Sequence, residues 1–236
     1  MSKNLQKTNT SFKSILDSLD IDETLTKGKN LKQKHYNKFA DSVVPEPDFN
    51  YMADLLHLPE TTEKFKYLFV ITDLATRKFD IEPMRDTLSS SSVTAMKAIV
   101  KRGILKLPEI SIKTDGGPEF EGQFNTYLTK HKIYHSIATA HRKTQMAPVE
   151  RLNRSLGRLF MQYLNRMEQK LDEDYTNWTD IVPQVRKELN AFRERDIDKL
   201  KEYQSEAFFD TDKTGKPKFA ELGQLVHYRL LKPQTV

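Results

Sequence analysis

The sequence predicts an α/β fold: a mixed five-stranded sheet flanked by helices. Three observations predict it. From Phe49 onward, short apolar runs of strand type alternate with segments of helical spacing. The first three runs follow one another through short connections. The last two are each preceded by a segment long enough to cross the sheet.

The elements follow in order. Residues 50–57 (NYMADLLH) read as a strand carrying Asp54. Residues 66–72 (KYLFVIT) are almost continuously apolar, as in a central strand buried on both faces. Residues 78–82 form a third strand after the turn Asp73-Leu74-Ala75-Thr76. These three pair as an antiparallel meander. Residues 91–102 predict a helix stopped by Gly103. Residues 109–113 are a short alternating strand that delivers Asp115, residues 118–130 a helix opened by Pro118, and residues 132–138 the fifth strand. Strands four and five need crossovers, so they lie parallel to the first. A long helix spans 147–171, opened by Pro148, and a further helix spans 178–194.

Both flanks differ from this core. Residues 11–25 place Phe12, Ile15, Leu16 and Leu19 at helical spacing. Residues 27–38 then carry five lysines and no acid, a stretch that phosphate backbones attract. Pro45-Glu46-Pro47-Asp48 breaks regular structure. Residues 222–230 alternate in part, as a strand does. The expected organisation is a basic helical region at 1–44, a core at 45–200, and at 201–236 a linker with the start of a small β module.

Composition narrows the function classes. Charged residues make up 30% of the chain, the net charge is +5, and there is no cysteine. Disulfides and cysteine-based zinc sites are excluded. No apolar run approaches a membrane span, and the first residues lack the apolar stretch of a secretory signal.

The chemistry lies in three carboxylates. Asp54 sits on the first strand, Asp115 follows the fourth in KTDGGPEF, and Glu150 opens the long helix in VERLNRSL. If the first and fourth strands are neighbours, the two aspartates meet. Gly116-Gly117 turns the chain sharply and leaves room beside them. On a helical projection, Leu152, Leu156, Leu159, Phe160, Tyr163 and Met167 form the buried stripe. Arg154 and Arg158 project opposite to it, with Glu150, Asn153 and Gly157 between, toward the edge of the exposed side. Glu150 can then face a cleft, with Arg151, Arg154 and Arg158 beside it to meet phosphates. An oxygen-only set of this kind suits divalent cations and phosphodiester chemistry. Each carboxylate taken alone also has an ordinary reading, as a turn or helix-start residue.

Taken together these motifs resemble the catalytic core of the retroviral integrase superfamily, over roughly residues 48–195. TDGGPEF resembles the family's second-aspartate motif and VERLNRSL its glutamate helix. KTDGGPEF and the C-terminal PKFAELGQLVHYRL look most like integrases of Maverick/Polinton elements and virophages, where a small SH3-like or chromodomain-like module follows the core. The resemblance implies an RNase H-like fold and a DNA-joining enzyme of a virus or mobile element. Asp54, Asp115 and Glu150 would hold two Mg²⁺ or Mn²⁺ ions. The enzyme would trim element 3′ ends, then transfer them into target DNA as a homo-oligomer, inside a cell and in the nucleus of a eukaryotic host. Lys143 and Gln145, with Arg142 beside them, would contact DNA just before the glutamate helix.

The pattern departs from the family in places. Thirty-four residues separate Asp115 from Glu150, one fewer than the retroviral spacing. No glycine lies in 139–149, and the family's His-His-Cys-Cys zinc domain cannot form here, so zinc is not expected. The last residues are too few to close an SH3-like barrel. Two alternatives stay open: a metal-dependent nuclease that cleaves without joining, and a catalytically silent DNA-binding module. Elsewhere, Asp73 reads as a turn residue, Glu119 as a helix-start residue, and Lys101, Arg102 and Lys106 as a cationic helix end.

Overall fold

The computed structural model describes residues 17–19, 46–139 and 145–198. The chain divides into a unit of residues 1–197 and another of 198–236, and the sheet and helices below all belong to the first. The basic run at 27–38 and the C-terminal β segment lie outside the described residues. Among the described residues, no helix is long and apolar enough to cross a membrane.

The strands are β1 (Asn50–His57), β2 (Tyr67–Asp73), β3 (Phe79–Met84), β4 (Ser111–Thr114) and β5 (Tyr134–Ile137). The helices are α1 (Ser89–Arg102), α2 (Gly122–Lys130), α3 (Ala147–Leu171) and α4 (Val182–Arg193). The sheet order is β3-β2-β1-β4-β5. β1, β2 and β3 form the antiparallel meander, and β4 and β5 lie parallel to β1. This is the mixed five-stranded sheet that the sequence predicts. β1 occupies the middle. β2 is interior and buried on both faces, but second from the edge.

Strand alternation divides the core into two layers. On one face, Met52, Leu68 and Val70 pack with Val149, Leu152, Leu156 and Phe160 of α3 and Val185 and Leu189 of α4. Leu19 joins this layer, and Gln184 Nε2 donates to the Ser18 carbonyl at 2.6 Å. On the other face, Tyr51, Ala53, Leu55 and Phe69 pack with Met96 and Ile99 of α1 and Phe124 and Leu128 of α2. The long helix therefore lies on the face to which the even-numbered residues of β1 point.

Several boundaries moved for physical reasons. The helix expected over 118–130 is broken at Glu121, which is extended. A short 3-10 turn (Pro118–Phe120) precedes it, and α2 begins at Gly122 with φ +49°, a conformation glycine tolerates. The helix expected over 178–194 begins as a 3-10 turn, Trp178–Ile181, and restarts at α4 with Pro183 in its first turn. β3 runs on through Pro83 to Met84, which an edge strand allows. Arg102 is not a simple cationic helix end. It pairs with fully buried Asp80 at 2.6 Å and with Glu82, tying α1 to β3. Arg186 of α4 approaches the same Asp80 oxygen at 2.6 Å and donates to the Ile81 carbonyl at 2.8 Å. One carboxylate thus joins the helices on opposite sides of the sheet.

Candidate active site

β1 and β4 are neighbours, with Tyr51 opposite Ile112 and Met52 opposite Lys113. Asp54 shares the face of Met52, and Asp115, one residue beyond β4, continues the face of Lys113. Carrying the register on by two residues sets Asp54 level with Asp115. Both aspartates open toward the side that α3 covers.

Asp54 is the half-buried centre of the group. Its Oδ1 accepts the Leu55 N–H at 2.9 Å, and its Oδ2 accepts Asn153 Nδ2 of α3 at 2.8 Å. Burial pushes its pKa up to about 6, Asp115 adds to this, the Leu55 N–H opposes it, and Glu150 and Glu119 raise it further. Asp54 therefore feels the charge of three other carboxylates, Asp115 and Glu119 from the β4–α2 connection and Glu150 from α3.

Asp115 is exposed, in a tight turn where its Oδ1 accepts the Gly117 N–H at 3.2 Å. A Cβ on Gly117 would stand 2.6–2.7 Å from the carboxyl atoms of Glu119, which folds back over the glycine. The room that the two glycines leave is thus filled by Glu119, which the sequence pattern assigns to a helix start. Glu150 lies exposed in the first turn of α3, its N–H bonded to the Met146 carbonyl at 3.0 Å.

Leu152, Leu156, Leu159 and Phe160 are buried as projected, while Tyr163 and Met167 are only partly covered. Asn153, placed by the projection toward the exposed edge, is 8% exposed. The reason is specific: its amide donates to Asp54, so the arc of α3 facing β1 is wider than the apolar stripe. One turn on, Gly157 faces Leu56 of β1. The helix therefore runs along β1, with Glu150 one turn beyond Asn153.

Residues 46–143 match the family model of the integrase core domain. That segment of the core is similar to integrase core domains. The matched segment contains Asp54 and Asp115 and ends before Glu150. A chain in the intasome of simian T-cell lymphotropic virus, solved with the PP2A regulatory subunit B56 gamma, shares the fold with a TM-score of 0.51 at 18% identity. The match covers 72% of this chain and 58% of that one, so this chain spans little more than half its length. The catalytic core domain of HTLV-2 integrase, solved in a trimeric form with magnesium, matches at TM-score 0.44 and 20% identity, covering 72% of this chain and 93% of that one. Comparison with curated proteins returned no match. The architecture is an RNase H-like fold, a mixed five-stranded sheet flanked by helices.

The donors of this site fit a hard divalent cation. They are all oxygens, and Asp54 is pushed up first by burial and then by its neighbouring carboxylates, both of which a bound cation would offset. The side chains are not closed around a point: among the described residues, no three His, Asp or Glu side chains are grouped tightly enough to hold an ion.

The basic residues divide. Arg151, Arg154 and Arg158 are exposed on α3. Arg151 Nε donates to the Ala147 carbonyl at 3.2 Å. Gln145 Oε1 accepts the Thr139 N–H at 2.9 Å, closing the approach to α3. Arg142 and Lys143 lie outside the described residues. Arg193 carries no signal in the sequence. Burial lowers its pKa, and Arg195 and Arg151 nearby push the same way. Three arginines from α3 and the end of α4 thus share one region. No motif links positions so far apart in sequence.

Proposed function

We propose that this integrase core joins DNA by phosphoryl transfer, with Asp54, Asp115 and Glu150 as its catalytic carboxylates. The single observation that carries the reading is geometric: the β1–β4 register sets Asp54 level with Asp115, and Asn153, one turn from Glu150 on α3, donates to Asp54 at 2.8 Å. The three residues would hold two Mg²⁺ or Mn²⁺ ions. Such ions, when bound, polarise the scissile phosphate and activate the attacking oxygen.

The protein's own part is placement. β1 supplies Asp54 from the centre of the sheet, where burial restricts its rotamers. Asn153 holds one Asp54 oxygen at 2.8 Å. Asp115 and Glu150 remain exposed and can turn toward an incoming phosphate. Arg151, Arg154 and Arg158, with Arg193 and Arg195 behind, provide cations for the DNA backbone. The substrates are the 3′ ends of an element and a target duplex in the genome of its host. A multimer would be needed to bring two ends together. The first step, trimming by water, and the second, attack by the freed 3′-OH, are both in-line displacements that one site can perform.

A strand-transfer assay on element ends tests the reading. Asp115→Asn should fold normally and lose joining by about 10²-fold or more. Full joining in that variant refutes it. Cleaved products without joined ones would favour the nuclease instead.

A further inference from the structure

Asp115 is exposed at the end of a four-residue strand, yet its peptide is tethered from the opposite face of the sheet. The Thr114 hydroxyl lies 2.7 Å from the Asp115 carbonyl oxygen and 2.8 Å from His135 Nε2 on β5. His135 Nδ1 lies 3.3 Å from the side-chain oxygen position of Asn125 on α2. The edge of the Phe124 ring packs against the imidazole, with centroids 6.0 Å apart.

The two short contacts of the Thr114 hydroxyl assign the protons around it. A carbonyl oxygen carries none, so the 2.7 Å contact needs the single proton of Thr114. The Thr114 oxygen must then accept from the ring, which places a proton on Nε2. Were Nε2 bare, two lone pairs would meet at 2.8 Å. Burial lowers the pKa of His135, with Glu121 opposing, which favours one ring proton over two. Nδ1 then accepts, and Asn125 turns its amide NH₂ toward it, an orientation interchangeable with its oxygen. The chain of donors runs from α2 through β5 and β4 to the Asp115 peptide.

We propose that His135 is a positioning residue for Asp115, acting through the Thr114 hydroxyl to fix the Asp115 carbonyl and hence the direction in which its carboxylate leaves β4. This rests on the reading of Asp115 as a metal-holding carboxylate. The same carboxylate is held on its other side by the Gly117 N–H. One tether holds the Asp115 backbone carbonyl and the other its carboxylate.

The experiment uses the full chain and two readouts. Imidazole ¹⁵N shifts should show the His135 proton on Nε2, and a ring carrying its proton only on Nδ1 would overturn the relay whatever the metal does. Mn²⁺ titration followed by electron paramagnetic resonance should show Thr114→Val weakening binding roughly ten-fold, as loss of a partner behind a ligand does. Thr114→Ser, which keeps the hydroxyl, should return binding to near the wild-type value. His135→Phe should weaken binding to a similar degree, and His135→Gln should restore part of it. Thr114→Val and His135→Phe combined should be no worse than either alone. Unchanged Mn²⁺ binding in both folded single variants overturns the proposal. If Thr114→Val fails to fold, the His135 pair decides alone. If Asp115→Asn binds Mn²⁺ as wild type does, the ligand reading itself has failed, and the ¹⁵N result still reports separately on the relay.

Discussion

Replacing Asp54 by asparagine should make the metal-free protein more stable, not less. The carboxylate titrates at about 6 against an ordinary value of 3.8, mainly because burial and Asp115 disfavour its charge. Each pKa unit corresponds to about 1.4 kcal/mol, so the ceiling is roughly 3 kcal/mol. Solvent reaching a half-buried group lowers this, and about 1–3 kcal/mol is expected. The hydrogen bonds survive. The substituted amide can accept the Leu55 N–H through its one oxygen, and Asn153 can turn its own amide, whose Oδ1 has no partner, to accept from the new NH₂. The sign follows from linkage. A raised folded-state pKa contributes stability below the unfolded value, and that stability is lost as pH rises through the folded one. Wild type and variant should therefore match near pH 3.8 and diverge through about pH 6, with the variant ahead at pH 7.5. Urea denaturation in EDTA across that range measures the difference. Mg²⁺ at 1,000 times its Kd should reverse the order, since it adds about 4.1 kcal/mol to the wild type alone. A variant less stable than wild type at pH 7.5 without metal would refute the argument.

Other outcomes follow from the same structure. Asp80→Ala should cost about 3–5 kcal/mol in urea denaturation, because Arg102 and Arg186 lose their shared buried partner. Trp178→Ala should cost a similar about 3–5 kcal/mol by thermal melting, since the ring is fully buried against Phe160 and its Nε1 donates to the Pro59 carbonyl at 2.8 Å. Gly117→Ala should cost little stability, because the Glu119 carboxylate is a flexible end that can move aside. By removing a negative charge from the group, it should lower the Asp54 pKa, read by ¹³C carboxyl titration.

Much of the fold was legible because period and connection length are local. The near-continuous apolar run at 66–72 pointed to a strand buried on both faces, found at Tyr67–Asp73, and the spacing of Leu152, Leu156 and Phe160 pointed to a helix on a core. The short links between the first three strands and the long ones before the last two specified which pairs run parallel. Breaks inside the expected helices were harder to see. Glu121 is extended because the chain must turn between Phe120 and Phe124, which both pack on Phe69, and nothing in the local pattern reports that distant ring.

At the site, the sequence by itself determined the identities and the supports: an aspartate within a strand, another followed by two glycines, a glutamate in the first turn of a long helix. Side-chain periodicity is enough to say that such residues can share a face. Tertiary structure alone decided their company. Asn153 is buried because Asp54 accepts its amide, Glu119 joins the carboxylates because Gly117 has no side chain to block it, and His135 reaches Asp115 only through Thr114. These partners lie on different elements, and hydrogen bonds and charge act through space. No spacing along the chain encodes them until β4 is set beside β1 and β5 and α3 is laid along β1.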